Sequence, residues 1–219
     1  MIADDGRAWI GYAAPMIIFG LFTAVEGYLP AGSYPFAYVA KMASVTGGFL
    51  VWRRPLRDIQ PSWSVVAPSV LVGLAICASW LLIDKLIAYP HLGDRVGFDP
   101  FTISSGAGRM AFLAVRLFGL IVLVPVMEEL FWRSFLLRYV TNPNFLSLAI
   151  GTFSGMALLA TVGLSAIAHT EWLVAAVANG IFCMWLRRTR SLFATIVAHA
   201  AANAALGAYI LVTNDWKYW

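Results

Sequence analysis

The stretch Ile121-Val-Leu-Val-Pro-Val-Met-Glu-Glu-Leu-Phe-Trp-Arg133 sets two adjacent acids, Glu128 and Glu129, inside a run that otherwise reads as a membrane-spanning helix. An ionisable side chain at bilayer depth costs roughly 2.5–3.5 kcal/mol on insertion scales, so acids kept there point to a functional site. The surrounding composition says why bilayer depth is the right frame. Of 219 residues, 61% are hydrophobic and 12% charged, against roughly 45–50% and about 25% in an ordinary soluble domain. A chain of this length accommodates about seven helices of around 20 residues, each crossing ~30 Å of hydrocarbon, and little else. The expected fold is therefore all-α: a polytopic transmembrane helical bundle forming one domain over residues 1–219.

Working outward from that stretch, the expected spans are Trp9–Ala24, Tyr34–Trp52, Val65–Ile83, Met110–Phe131, Phe145–Ala168, Trp172–Leu186 and Leu192–Val212. Turn and charge signals break them: Gly27 to Pro35, Arg53-Arg54-Pro55-Leu-Arg57, the polar stretch Asp84 to Arg109, Thr141-Asn-Pro-Asn144 and Arg187-Arg-Thr-Arg190. No repeat of 20–50 residues and no low-complexity tract interrupts the pattern. The first segment, flanked by Asp4 and Asp5, is read as a retained helix and not a signal peptide, because further apolar segments follow it.

The net charge of +4 is small. Its cations gather at helix ends, which orients a membrane chain and gives no basic patch for nucleic acid. Arg53, Arg54, Arg57, Arg138, Arg187, Arg188 and Arg190 are expected on the cytoplasmic side of a plasma (inner) membrane, with the N-terminus inside and the C-terminus outside. Trp9, Trp52, Trp172 and Trp185 fall near span ends, as in an aromatic belt. The connection holding Asp84, Lys85, His91, Asp94, Arg95 and Asp99 is expected to be a solvated extracytoplasmic loop able to lid a cavity. Cys77 and Cys183 lie in apolar segments and behave as small hydrophobes, not as a disulfide scaffold.

Helical geometry separates the two acids. Glu129 and Arg133, four apart, share a face and can pair, while Glu128 lies about 100° round the helix and stays free. Pro125 removes a backbone donor and frees the carbonyl four residues before it, so the helix should kink just where the acids emerge. Two imidazoles join them at membrane depth: His169, which ends Leu164-Ser-Ala-Ile-Ala-His169, and His199, one turn before Asn203 on a common face. Acids, imidazoles and an amide in one small bundle can activate water and hold an oxyanion, as a hydrolase requires. Asn179, in the sixth span, is expected to bridge helices through a structural hydrogen bond.

Glu128-Glu129-x-x-x-Arg133, then His169, then His199-x-x-x-Asn203, in that order on successive helices, resembles the CAAX protease and bacteriocin-processing (CPBP, Abi) family of intramembrane glutamic proteases, relatives of the Rce-type CAAX prenyl endopeptidases. The resemblance covers about the last 110 residues and places the catalytic core at 110–212. It implies that Glu128 is the general base that deprotonates a water, assisted by His169. It further implies that Glu129, paired with Arg133, shapes the site, and that His199 and Asn203 stabilise the oxyanion. In one respect the chain departs from the family, whose second motif usually has an aromatic residue four before the histidine; here that position is Ser165.

The residues suit a route with no metal and no cofactor, acting on a peptide or membrane-protein substrate within the lipid bilayer. Two Glu and two His could instead hold zinc with an open water position, although there is no His-Glu-x-x-His pair. A proton-coupled transporter or a non-catalytic scaffold or immunity protein would also place such groups at depth. One conflict is visible at this level. If the fifth span crosses fully from Phe145, His169 arrives at the outer face, far from Glu128. Gly151, Gly155 and Gly163 are expected to allow a tilted, broken or re-entrant helix that brings it back, and the small residues Ala198 to Ala205 with Gly207 to let the seventh helix pack closely.

Overall fold

In a computed structural model that describes residues 7–93, 95 and 97–219, the apolar runs form seven helices and, among the described residues, no strand. Asp4, Asp5 and Asp94 lie outside the described residues. The helices are α1 Ala8–Glu26, α2 Tyr34–Val51, α3 Val66–Leu86, α4 Gly106–Thr141, α5 Gly155–Ile167, α6 Trp172–Thr189 and α7 Leu192–Thr213. Serines start three of them: Ser105, Ser154 and Ser191 each accept a hydrogen bond from a backbone N–H of the first turn, at 3.2, 3.1 and 3.2 Å. Arg190 and Asn214, both left-handed, close α6 and α7. Four of the helices, α1, α3 with its leading turn, α4 and α7, are long and apolar enough to cross a membrane. The protein is a polytopic membrane protein, and its two cysteines are buried and unpaired.

Close approach sets the centre of the bundle. A Cβ built on Gly73 of α3 would stand 2.2 Å from the Ala198 carbonyl oxygen and 2.8 Å from Ala201 Cβ of α7. The two backbones therefore touch, by the small-residue packing that membrane helices favour. Ile76 and Cys77 cluster with Ala198 and Ala202, and Lys85, twelve residues on from Gly73, holds its Nζ 4.7 Å from the Tyr209 ring, so α3 and α7 run parallel. Small residues on α7 do pack closely, as expected; the partner glycine on α3 was not foreseen.

Two elements differ from the sequence reading. The fourth does not stop at Phe131 but runs 36 residues to Thr141, and it carries two π-helical stretches, Gly119–Leu123 and Glu129–Leu136. The fifth is not a span from Phe145. Residues 142–154 form an irregular return, in which Gly151 has φ +79° and faces the Leu186 carbonyl, and α5 itself is only 13 residues. Ser154 N–H donates to Thr141 Oγ1 at 3.0 Å, pinning the start of α5 to the end of α4. From Thr141 back to Glu128 is about 20 Å of helix, and from Gly155 forward to His169 about 21 Å. A short antiparallel helix thus delivers His169 to the level of Glu128, and the conflict disappears. Of the three glycines expected to break this helix, Gly151 makes the turn, Gly155 begins α5 and Gly163 lies within it.

Candidate active site

The widened register of α4 begins the site. Val124 N–H reaches back five residues to the Gly119 carbonyl. Continued by one residue, that register assigns the Leu120 carbonyl to the N–H of residue 125, which is Pro125 and has none. Asn203 of α7 takes the vacancy, its Nδ2 donating to Leu120 O at 2.8 Å. The freed carbonyl is five residues before the proline, not four, because the turn is π-helical and not α-helical.

Beyond Pro125 the two acids part as their spacing requires. Glu129 is fully buried; its Oε1 lies 3.2 Å from Arg133 Nη1 and 2.9 Å from His199 Nδ1. Arg133, also fully buried, donates through Nη2 to Asn179 Oδ1, and Asn179 Nδ2 donates to the Ala175 carbonyl at 2.8 Å. Asn179 therefore does bridge α6 to α4. Phe182 closes the pair from the α6 side, stacked on His199 at 4.9 Å and under the Arg133 guanidinium at 5.1 Å. Glu128 has no hydrogen-bond or ion-pair partner among the described residues and opens on a cavity of about 190 Å³.

That cavity brings Glu128, His169, His199 and Asn203 together, with Asn179 and Trp80 also on its wall. Glu129 and Arg133 stand behind it. The two imidazoles are held differently. His169 Nδ1 lies 2.7 Å from the Ser165 carbonyl oxygen, which can only accept, so Nδ1 carries the proton and a neutral ring keeps its lone pair on Nε2. His199 has Nδ1 committed to a carboxylate, which leaves Nε2 as its remaining polar atom. The position where the family usually has an aromatic residue, Ser165, serves through its backbone; the aromatic ring against His169 comes from Trp80, edge-on at 6.5 Å and 71°.

The connection expected to be a solvated loop able to lid a cavity is a strap. Asp84, which is in α3, accepts from Arg95 Nη2 at 2.9 Å, Tyr89 at 3.2 Å and Tyr218, and lies 3.1 Å from His91 Nε2. Arg95 Nε also donates to Glu171 at 2.9 Å, Leu92 N–H to the Thr170 carbonyl at 3.0 Å, and Trp172 Nε1 to the Pro90 carbonyl at 2.7 Å. Every one of these last three holds the turn that carries His169. Burial beside Asp84 pushes the Tyr89 hydroxyl up to about 12, so it stays a donor across the physiological range.

Residues 110–205 match the profile of the type II CAAX prenyl endopeptidase Rce1-like family. This segment is similar to an Rce1-like domain. The family found is thus the family the three motifs resemble, and the Rce1-like segment takes in most of α4, all of α5 and α6, and α7 as far as Ala205. No curated relative and no solved structure matches the chain. Among the described residues, no three His, Cys, Asp or Glu side chains stand together as a metal-holding group; Glu129 and His199, two of the four ligands considered for zinc, bind each other instead. Sequence reasoning did not single out Trp80 or Phe182. Neither carried a distinguishing signal: Trp80 lies three residues from the end of its expected span, where a belt tryptophan would also sit.

Proposed function

We propose that the chain is an intramembrane endopeptidase in which Glu128 and His169 activate a water molecule and His199 and Asn203 polarise the scissile carbonyl. The observation that carries this reading is the single cavity in which an unpaired carboxylate meets an imidazole with a free Nε2, beside a second imidazole and an amide. Glu128 takes a proton from water, and the oxygen attacks the carbonyl carbon while His169 Nε2 orients that water. Negative charge grows on the carbonyl oxygen. To donate there, His199 Nε2 must carry a proton while Nδ1 donates to Glu129, and the Glu129 carboxylate is the counter-charge for that doubly protonated ring. Asn203 spends one amide hydrogen on Leu120 O and has the second for the oxyanion. Glu128 then returns its proton to the leaving amine.

No step draws on a metal, so cleavage is expected to survive a chelator such as phenanthroline; loss of activity restored by zinc would reverse that. The substrate class is a peptide bond in a membrane-associated peptide or protein, and a prenylated C-terminal peptide is the precedent in the family's own description. The reading further places the arginine-bearing ends of α2, α4 and α6 in the cytoplasm of a cell with the protein in its plasma membrane.

The test compares membrane-protein termini by mass spectrometry between cells holding the native chain and cells holding Glu128→Gln at equal abundance. A terminus present only with the native chain is the expected outcome. Identical termini, with a phenotype that still requires the protein, would move the assignment to a scaffold or a transporter.

A further inference from the structure

We propose that Trp80 of α3 is a substrate-binding residue, its indole N–H donating to a backbone carbonyl of the bound peptide two residues from the scissile one. The inference rests on the proteolytic reading above. It concerns a helix outside the matched segment 110–205.

Three observations converge on it. Trp80 lines the same cavity as Glu128, His169, His199 and Asn203. Its Nε1 is buried and, among the described residues, has no hydrogen-bond partner. Trp172 and Trp185, by contrast, donate to the Pro90 carbonyl at 2.7 Å and to Ser69 Oγ at 3.1 Å. Trp132 and Trp219 also keep an unpaired N–H, but neither borders the cavity. Finally, the ring is fixed: Gly73 locks α3 against α7, and Trp80 packs edge-on against His169. A buried indole N–H ordinarily finds an acceptor. The acceptor this cavity is shaped to admit is the substrate.

Register assigns the carbonyl. The parallel helices meet at Gly73 and Ala198–Ala202, so seven residues on, Trp80 stands roughly one helical turn, about 5–6 Å, outward of Asn203. An extended peptide advances about 3.3 Å per residue, and every second carbonyl points the same way, about 6.6 Å apart. With the scissile carbonyl at Asn203, the carbonyl two residues away comes to Trp80. An indole N–H carries no charge and takes no part in proton transfer. It holds ground state and transition state alike, and its loss therefore weakens binding and leaves the chemical step alone.

The experiment uses the full chain in proteoliposomes and an internally quenched peptide carrying the cleavage site revealed by the Glu128-dependent terminus. Two variants remove the donor: Trp80→Phe, and replacement of Trp80 by benzothienylalanine, which exchanges N–H for sulfur within the same ring outline. Both are expected to raise KM about tenfold, the loss of one neutral hydrogen bond, with kcat within about twofold of the native value and an unchanged unfolding midpoint. Native KM in the benzothienylalanine protein, or a fall in kcat alone, overturns the binding role; if Glu128→Gln is then still inactive, proteolysis stands without it. Absence of any Glu128-dependent terminus overturns both readings together.

Discussion

Glu128 and Glu129 are adjacent in the chain and opposite in environment, and substitution should separate them. Glu129 faces Arg133 and His199 with no solvent contact. In Glu129→Gln the arginine loses its counter-charge at a fully buried position, which costs about 3–5 kcal/mol when one partner of a buried pair is removed. Glu128 pairs with nothing among the described residues, so Glu128→Gln should leave the thermal unfolding midpoint in detergent where it was, or raise it, while abolishing cleavage. Equal destabilisation by the two substitutions would show that the acids are not divided in this way. This division was legible in the sequence, because a spacing of four residues puts Glu129 and Arg133 on one face. The committed Nδ1 of His199 was not, since it depends on how α7 lies against α4, a relation separated by 70 residues of chain.

At the scale of the element, Pro125 and Asn203 act as one device. The proline leaves the Leu120 carbonyl without a backbone donor, and the amide supplies one from α7. Asn203→Ala alone should cost about 1 kcal/mol, since the part-buried Leu120 carbonyl loses its donor. Pro125→Ala returns a backbone N–H and allows α4 to close that carbonyl itself. In its background, Asn203→Ala should cost close to nothing, and the difference is the coupling a double-mutant cycle measures from unfolding midpoints. Additive costs would mean the two residues act independently. The sequence announced a disturbance at Pro125 but placed the free carbonyl one residue late, because a local rule for α-helices cannot foresee a π-turn. It also read Phe145–Ala168 as one span, since the return 142–154 is apolar enough to pass for helix and only tertiary contacts with Thr141 and Leu186 show that it is not.

The whole molecule has two unlike ends, and the difference bears on its orientation. At one end Arg53, Arg54 and Arg57 follow α2 and Arg187, Arg188 and Arg190 close α6. At the other, cations and acids are mixed and tied together: Arg95 joins Asp84 to Glu171, and Lys217 lies 3.4 Å from Asp215. A cluster of arginines beside short connections holds a chain end in the cytoplasm. The arginine-rich end is therefore expected inside. Single cysteines report this directly, since Cys77 and Cys183 are buried and slow to react. Ser104→Cys precedes α4 at the strap end, and Ser62→Cys precedes α3 at the arginine end. With intact cells and a membrane-impermeant maleimide, the cysteine at 104 should label and the one at 62 should label only after the membrane is opened. The reverse pattern would invert the bundle and place the strap over His169 on the cytoplasmic side, so that a substrate reaching the cavity past Arg95 would come from the cytosol.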